Sequence, residues 1–119
     1  MKIKQKKLLI IIGGGISAYK TLDLIRKLKK SSFEIKTVLT KSGRQFVTPL
    51  SLVSLSGNKV YENLFDKENE AEIDHISLSR WADLILVVPA TANLISKLSQ
   101  GKAEDLATTI MLASNKDII

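Results

Sequence analysis

Five apolar residues in a row, Leu8-Leu9-Ile10-Ile11-Ile12, run directly into Gly13-Gly14-Gly15 and then into Ile16-Ser17-Ala18-Tyr19-Lys20. A segment with no polar position has no face to turn to water. It therefore reads as a strand buried on both sides, the type that builds parallel sheets. The glycines supply a turn, and the residues after them open a helix. In that arrangement free backbone N–H groups and the positive end of a helix dipole point at one spot. An anion, most often a phosphate, is the natural occupant. A plainer reading is that the glycines only let strand and helix pack closely.

The spacing predicts a strand over residues 6–12 and a helix over 16–30, where Ile16, Tyr19, Leu22, Ile25 and Leu28 recur at short helical spacing. Ser31-Ser32 makes a turn into a second strand, 33–39. Thr40-Lys41-Ser42-Gly43 reads as a loop opening a short helical stretch toward Phe46. Pro49 fits the first turn of a helix over 49–56, which Gly57-Asn58 ends. A short strand over 59–65, an exposed acidic loop over 66–74 and a strand over 82–88 follow. Residues 93–99 and 104–113 read as helices separated by Gly101, and Asp117-Ile118-Ile119 as the start of a further strand. Strands alternating with helices predict an α/β fold, a Rossmann-like three-layer sandwich around a parallel sheet, in one domain over 1–119. Such sheets bind ligands outside the carboxyl ends of their strands. That rule gathers three segments distant in sequence: 13–17, 40–46 and 89–93.

Composition narrows the function. The chain has 119 residues, a net charge of +6 and no cysteine, which excludes disulfides, thiolate metal sites and a cysteine nucleophile within it. No apolar run approaches the ~18 residues of a membrane helix. The basic start, Lys2, Lys4, Lys6 and Lys7, is not followed by a signal-peptide core, because the apolar run is short and ends in glycines. A cytoplasmic protein with no membrane partner is expected. The lysines at the end of the first helix complement its dipole. They lack interleaved aromatics or a reader motif, so they are read as a solvated face and no nucleic-acid partner is expected.

Gly13-x-Gly15-x-x-Ala18 satisfies a loose dinucleotide pattern. An NAD site also needs an acid near the end of the second strand, and that strand ends Val38-Leu39-Thr40, with Glu34 at the wrong end. A P-loop would need Gly-Lys-Ser/Thr after the glycines, which is absent. A hydroxyl at the strand end suits a mononucleotide phosphate or a ribityl chain better. His75 is the single histidine. It is either a structural residue or a general acid/base, since its ordinary pKa is ~6.5. Pro89-Ala90-Thr91-Ala92-Asn93 is either a plain helix cap or a strand-end contact offering a hydroxyl, a carboxamide and backbone amides.

Taken together, several segments resemble the flavin-containing cysteine decarboxylases, and among them the phosphopantothenoylcysteine decarboxylases of coenzyme A biosynthesis. They are Gly14-Gly15-Ile16-Ser17-Ala18-Tyr19-Lys20, Phe46-Val47-Thr48-Pro49-Leu50, Leu55-Ser56-Gly57-Asn58, His75-Ile76-Ser77-Leu78-Ser79-Arg80-Trp81-Ala82-Asp83 and Pro89-Ala90-Thr91-Ala92-Asn93, with Gly101 and Asp105. The resemblance spans nearly the whole chain, in order. It implies an FMN cofactor, a homo-oligomer built from trimers with flavin near the subunit interfaces, and phosphopantothenoylcysteine as substrate. It implies that Gly14, Gly15, Ile16 and Ser17 form a first FMN-contacting loop, that Thr40 is a second contact, and that Phe46 packs by the isoalloxazine ring. Thr91, Ala92 and Asn93 would form the third contact and His75 the active-site base. The implied chemistry is oxidation of the cysteinyl thiol, loss of the carboxylate from the resulting thioaldehyde, and return of the electrons to give phosphopantetheine.

The sequence departs from that pattern in places. Gly13 stands where threonine is common, and Leu94 where a polar residue often follows the asparagine. The family domain continues past the length of this chain, into a Pro-Ala-Met-Asn segment that holds the substrate carboxylate and a flap with a catalytic cysteine. The expectation is therefore a fragment of a longer polypeptide whose turnover on its own is impaired or absent. Other readings are a flavin-binding regulatory subunit without turnover, or a flavin prenyltransferase, against which the segment from His75 to Asp83 argues.

Overall fold

The apolar run forms the central strand of the sheet. A computed structural model describes residues 6–62, 65–66, 71–72, 75–88, 95–96, 99–101, 107, 110–111 and 118–119. Within these, β1 (Lys6–Ile12) pairs in parallel with β2 (Phe33–Leu39) on one side and with β6 (Leu84–Val87) on the other. β3 (Val60–Tyr61) adds in parallel to β2, giving the order β3-β2-β1-β6. Ile118 forms a parallel bridge to Ile85 on the free side of β6, as the apolar end of the sequence predicts.

Alternation along β1 divides the core in two. Leu8, Ile10 and Ile12 face a cluster with Ala18 and Ile25 of α1 (Ala18–Lys30) and Leu52 of α2 (Pro49–Ser56). Leu9 and Ile11 face the opposite cluster, with Leu78 of α3 (His75–Trp81), Ala82, Ile85, Ala107, Ile110 and Met111. Helices therefore cover both faces, and the three-layer α/β sandwich expected from the sequence is what forms. Each fully buried Leu or Ile contributes about 1.5–3 kcal/mol relative to exposure. Among the described residues no helix is long and apolar enough to cross a membrane.

Local chemistry sets the element ends. Thr48 caps α2 by accepting the Ser51 N–H at 3.1 Å, and Pro49 takes the first helical position, where a missing N–H costs nothing. Gly57, at φ 74°, ends the helix in the left-handed conformation that glycine tolerates best. Asn58 then donates from Nδ2 to the Ile35 carbonyl at 2.6 Å, tying the end of α2 to β2. At the amino edge of the sheet Asp83 and Lys7 exchange two bonds. The Lys7 N–H donates to Asp83 Oδ2 at 2.8 Å, and the Asp83 N–H to the Lys7 carbonyl at 2.7 Å. The Lys36 ammonium lies 4.6 Å from the centre of the Trp81 ring, a cation–π contact between β2 and the end of α3.

The structure adds two features to the expected order. Instead of one strand over 59–65, β3 covers Val60–Tyr61, and β4 (Phe65–Asp66), at the junction of the expected strand and the expected loop, pairs antiparallel with β5 (Ala71–Glu72). Residues 75–81 form α3, for which the sequence reading assigned no element. Ile76 and Leu78 alternate as in a strand, and serine and histidine are middling helix formers. Burial of Leu78 among Leu9, Ile11 and Ile85 of the sheet, with Ser79 also buried, decides the outcome.

Removing the α2 cap tests this account. Thr48→Ala is expected to cost about 1 kcal/mol in a urea unfolding curve, with Thr48→Ser close to the parent.

Candidate functional site at the carboxyl edge of the sheet

Strand order reverses direction at β1. The chain moves from β1 to β2 and β3 on one side, and β6 is then added on the other. The crevice beyond the carboxyl ends of β1 and β6 is the switch point at which open parallel sheets take ligands. In-register pairing of Ile12 with Leu39, and of Ile11 with Val87, brings residues 13, 40 and 88 to one edge. The Val88 N–H donates to the Ile11 carbonyl at 2.9 Å, which holds the chain to β1 immediately before Pro89.

The glycine turn leads into α1 as expected, with the helix starting at Ala18 rather than at residue 16. Gly13 is buried, Gly14 and Gly15 half-buried, and Ser17 exposed. Ser17 occupies the N-cap position, yet its side chain makes no capping bond, so its hydroxyl is not spent on the helix. Ile16 is 80% exposed. An apolar side chain so open at a helix start suits a site that is completed by something else.

Gly14 is required by close approach. A Cβ built there would lie 2.5 Å from the Cβ of Ser42 and 2.9 Å from its carbonyl carbon. The glycine loop is thus packed against the loop after β2. Gly43 approaches equally closely from the other side, where a Cβ would sit 2.7 Å from the Ile12 carbonyl oxygen. Thr40 bridges the two loops. Its N–H donates to the Ile12 carbonyl at 3.1 Å and its hydroxyl to the same oxygen at 3.0 Å. The hydroxyl also accepts the Gly43 N–H at 3.0 Å. The importance of Ser42 and Gly43 was not legible in the sequence beyond the presence of a loop glycine.

A 3-10 turn (Gly43–Gln45) follows and presents Phe46, a residue 44% exposed at this edge. Arg44 leaves the same turn and pairs with Glu62, Nε to Oε1 at 3.2 Å, just past the carboxyl end of β3. His75 is the first residue of α3, and α3 enters β6 at its amino edge, where Asp83 is bound to Lys7. His75 is therefore the far end of that helix from the amino edge, about 9 Å of rise away. Thr91, Ala92 and Asn93 lie outside the described residues. The structure thus brings Gly14, Gly15, Ile16, Ser17, Thr40 and Phe46 to one edge.

Beside the site, α1 and α2 flank an open groove of about 240 Å³ lined by Tyr19, Leu22, Asp23, Arg26 and Leu55. The Lys27 ammonium, 3.1 Å away, and then the Arg26 guanidinium hold the Asp23 carboxyl below its ordinary value. That acid is matched by neighbouring cations. No group of His, Cys, Asp and Glu side chains that could hold a metal ion occurs among the described residues.

A parallel sheet covered on both faces, with a glycine turn at its switch point, is the architecture on which α/β proteins hold nucleotides and related cofactors. Comparison with known proteins is more specific. The model of the family described as Flavoprotein matches residues 1–118, and the chain belongs to that family. It is 47% identical over 118 residues to the coenzyme A biosynthesis bifunctional protein CoaBC of Haemophilus influenzae, a match covering 99% of this chain and 30% of that protein. The chain thus spans about a third of the length of the curated relatives it matches. Among solved structures it resembles the FMN-dependent cysteine decarboxylase SpaF, at TM-score 0.85 and 28% identity over 96% of this chain and 66% of that one. It also resembles a PPC decarboxylase variant complexed with pantothenoylaminoethenethiol, at TM-score 0.76 and 26% identity over 97% of this chain and 65% of that one.

Gly14→Ala tests the packing of the two loops. The added methyl must displace Ser42, and the expected loss is about 1–3 kcal/mol of unfolding free energy, read by urea denaturation.

Proposed function

We propose that this chain is the FMN-binding part of a phosphopantothenoylcysteine decarboxylase, converting 4'-phosphopantothenoylcysteine to 4'-phosphopantetheine in coenzyme A biosynthesis. The observation that carries the reading is the meeting of the Gly14–Ser42 contact, the uncommitted Ser17 hydroxyl and the exposed Phe46 ring at one sheet edge. Similarity to CoaBC and to an FMN-dependent decarboxylase supports the choice of cofactor and substrate.

The residues present fit FMN. Backbone amides of Gly14, Gly15, Ile16 and Ser17, at the positive end of α1, suit a phosphate, with the Ser17 hydroxyl as a further donor. Phe46 offers an open aromatic face at the same edge for the isoalloxazine ring. Thr91, Ala92 and Asn93 supply the remaining contacts from the segment after β6. When bound, FMN supplies the two-electron oxidation that makes the substrate carboxylate easy to lose. His75 serves as the base, taking a substrate proton on an imidazole nitrogen. The exposed apolar side chains of Ile16 in the turn before α1, Tyr19 on α1, and Leu50 and Val53 on α2 support assembly into trimer-based homo-oligomers. A cytoplasmic location follows from this metabolic role.

The first experiment is the visible spectrum of the purified chain with identification of any released chromophore. A yellow protein that releases FMN is the expected result. A colourless chain that takes up no added FMN would remove the cofactor assignment. Unchanged substrate in the presence of bound FMN would mark this length of chain as a flavin-binding module that does not turn over by itself.

Two substitutions separate binding from chemistry. His75→Asn is expected to keep FMN and to abolish whatever phosphopantetheine the parent chain forms, measured by mass spectrometry of the products. Asn93→Asp is expected to weaken FMN retention by placing a negative charge near the bound cofactor. Equal affinity in a fluorescence titration would take Asn93 out of the site.

A further inference from the structure

We infer that Thr40 is a positioning residue of the anion site and does not donate its hydroxyl proton to the phosphate. The inference rests on the proposed use of Gly14, Gly15, Ile16 and Ser17 as the phosphate loop. A threonine hydroxyl has one proton and two lone pairs. A carbonyl can only accept, so at 3.0 Å from the Ile12 oxygen the Thr40 proton is given to that carbonyl. One lone pair takes the Gly43 N–H at 3.0 Å. A phosphate dianion also only accepts. Thr40 could donate to it only by abandoning Ile12. What it retains toward any ligand is a single acceptor site, suited to a ribityl hydroxyl or a ring N–H.

The two bonds have a clear mechanical effect. Ile12 is the last residue before the glycines, and its carbonyl receives both the N–H and the hydroxyl of Thr40. Gly43 lies against that same carbonyl, and Gly14 lies against Ser42. Residues 12–14 and 40–43 are thus clamped as one unit, with the half-buried Thr40 side chain at its centre. A clamp of this kind fixes the direction of the loop amides before an anion arrives, so less ordering is left to oppose binding.

The test combines backbone amide hydrogen exchange with FMN titration on Thr40→Val, Thr40→Ser, Gly43→Ala and the Thr40→Val/Gly43→Ala double variant. Thr40→Val keeps the shape and removes both hydroxyl bonds. It is expected to speed exchange of the hydrogen-bonded Thr40, Gly43 and Arg44 amides about tenfold, leave exchange in residues 75–81 unchanged, and weaken FMN binding roughly tenfold. Thr40→Ser keeps donor and acceptor and is expected to match the parent in both measurements. Gly43→Ala leaves the hydroxyl in place but pries the loops apart, so the double variant is expected to bind FMN little worse than the weaker single variant. Unchanged exchange in Thr40→Val, a Ser variant as loose as Val, or additive losses in the double variant would each overturn the assignment. A parent chain that binds no FMN sinks the cofactor reading instead, and the exchange comparison then decides the role of Thr40 alone.

Discussion

A strand that is apolar on both faces exists only where something covers each face, and β1 imposes that condition on the whole chain. Residues 8–12 are buried almost completely, and alternate side chains feed two separate clusters. One cluster recruits α1 and α2, the other α3 and the helical residues near 110. The site follows from the same condition. Once β1 is flanked in register by β2 and β6, the residues after each strand have no further sheet to join and meet at one edge. The turn after β1 must then be narrow enough for the loop after β2 to lie against it, which is where Gly14 and Gly43 enter.

Much of this was legible in the sequence because it depends on local pattern. The apolar run, the helical spacing of Tyr19, Leu22, Ile25 and Leu28, and the Thr48-Pro49 to Gly57 punctuation mark β1, α1 and α2 with little ambiguity. Features decided by distant contacts were not legible. α3 forms because Leu78 is buried against the sheet, while its own residues alternate more like a strand. β4 and β5 arise in a charged stretch where composition suggests only a loop. The gathering of Gly14, Ser17, Thr40 and Phe46 was expected from the rule for strand ends. The specific contact between Gly14 and Ser42 was not, because a glycine pattern says that something comes close without saying what.

The same limit applies to side-chain roles. A hydroxyl at the end of β2 suggests a ligand contact when read as a residue type. Its hydrogen bonds in the fold give it a second occupation that competes with the first. Phe46 and Ile16 show the opposite case. They are apolar residues left open at the same edge, beside a strand whose own apolar residues are almost completely buried.

The strand order carries a consequence for synthesis. β1, α1 and β2 are contiguous and can pair as soon as they leave the ribosome, whereas β6 is made roughly seventy residues after β1, a delay of about 4–14 s at ordinary elongation rates. Over that interval one edge of the most apolar strand has no native neighbour, and unpaired edges of this kind template pairing between chains. Nascent copies on one message are therefore most exposed to one another before Leu84 emerges. Slow codons between β3 and β6 would lengthen the hazard, and a chaperone that binds short apolar strands would find its target in residues 8–12.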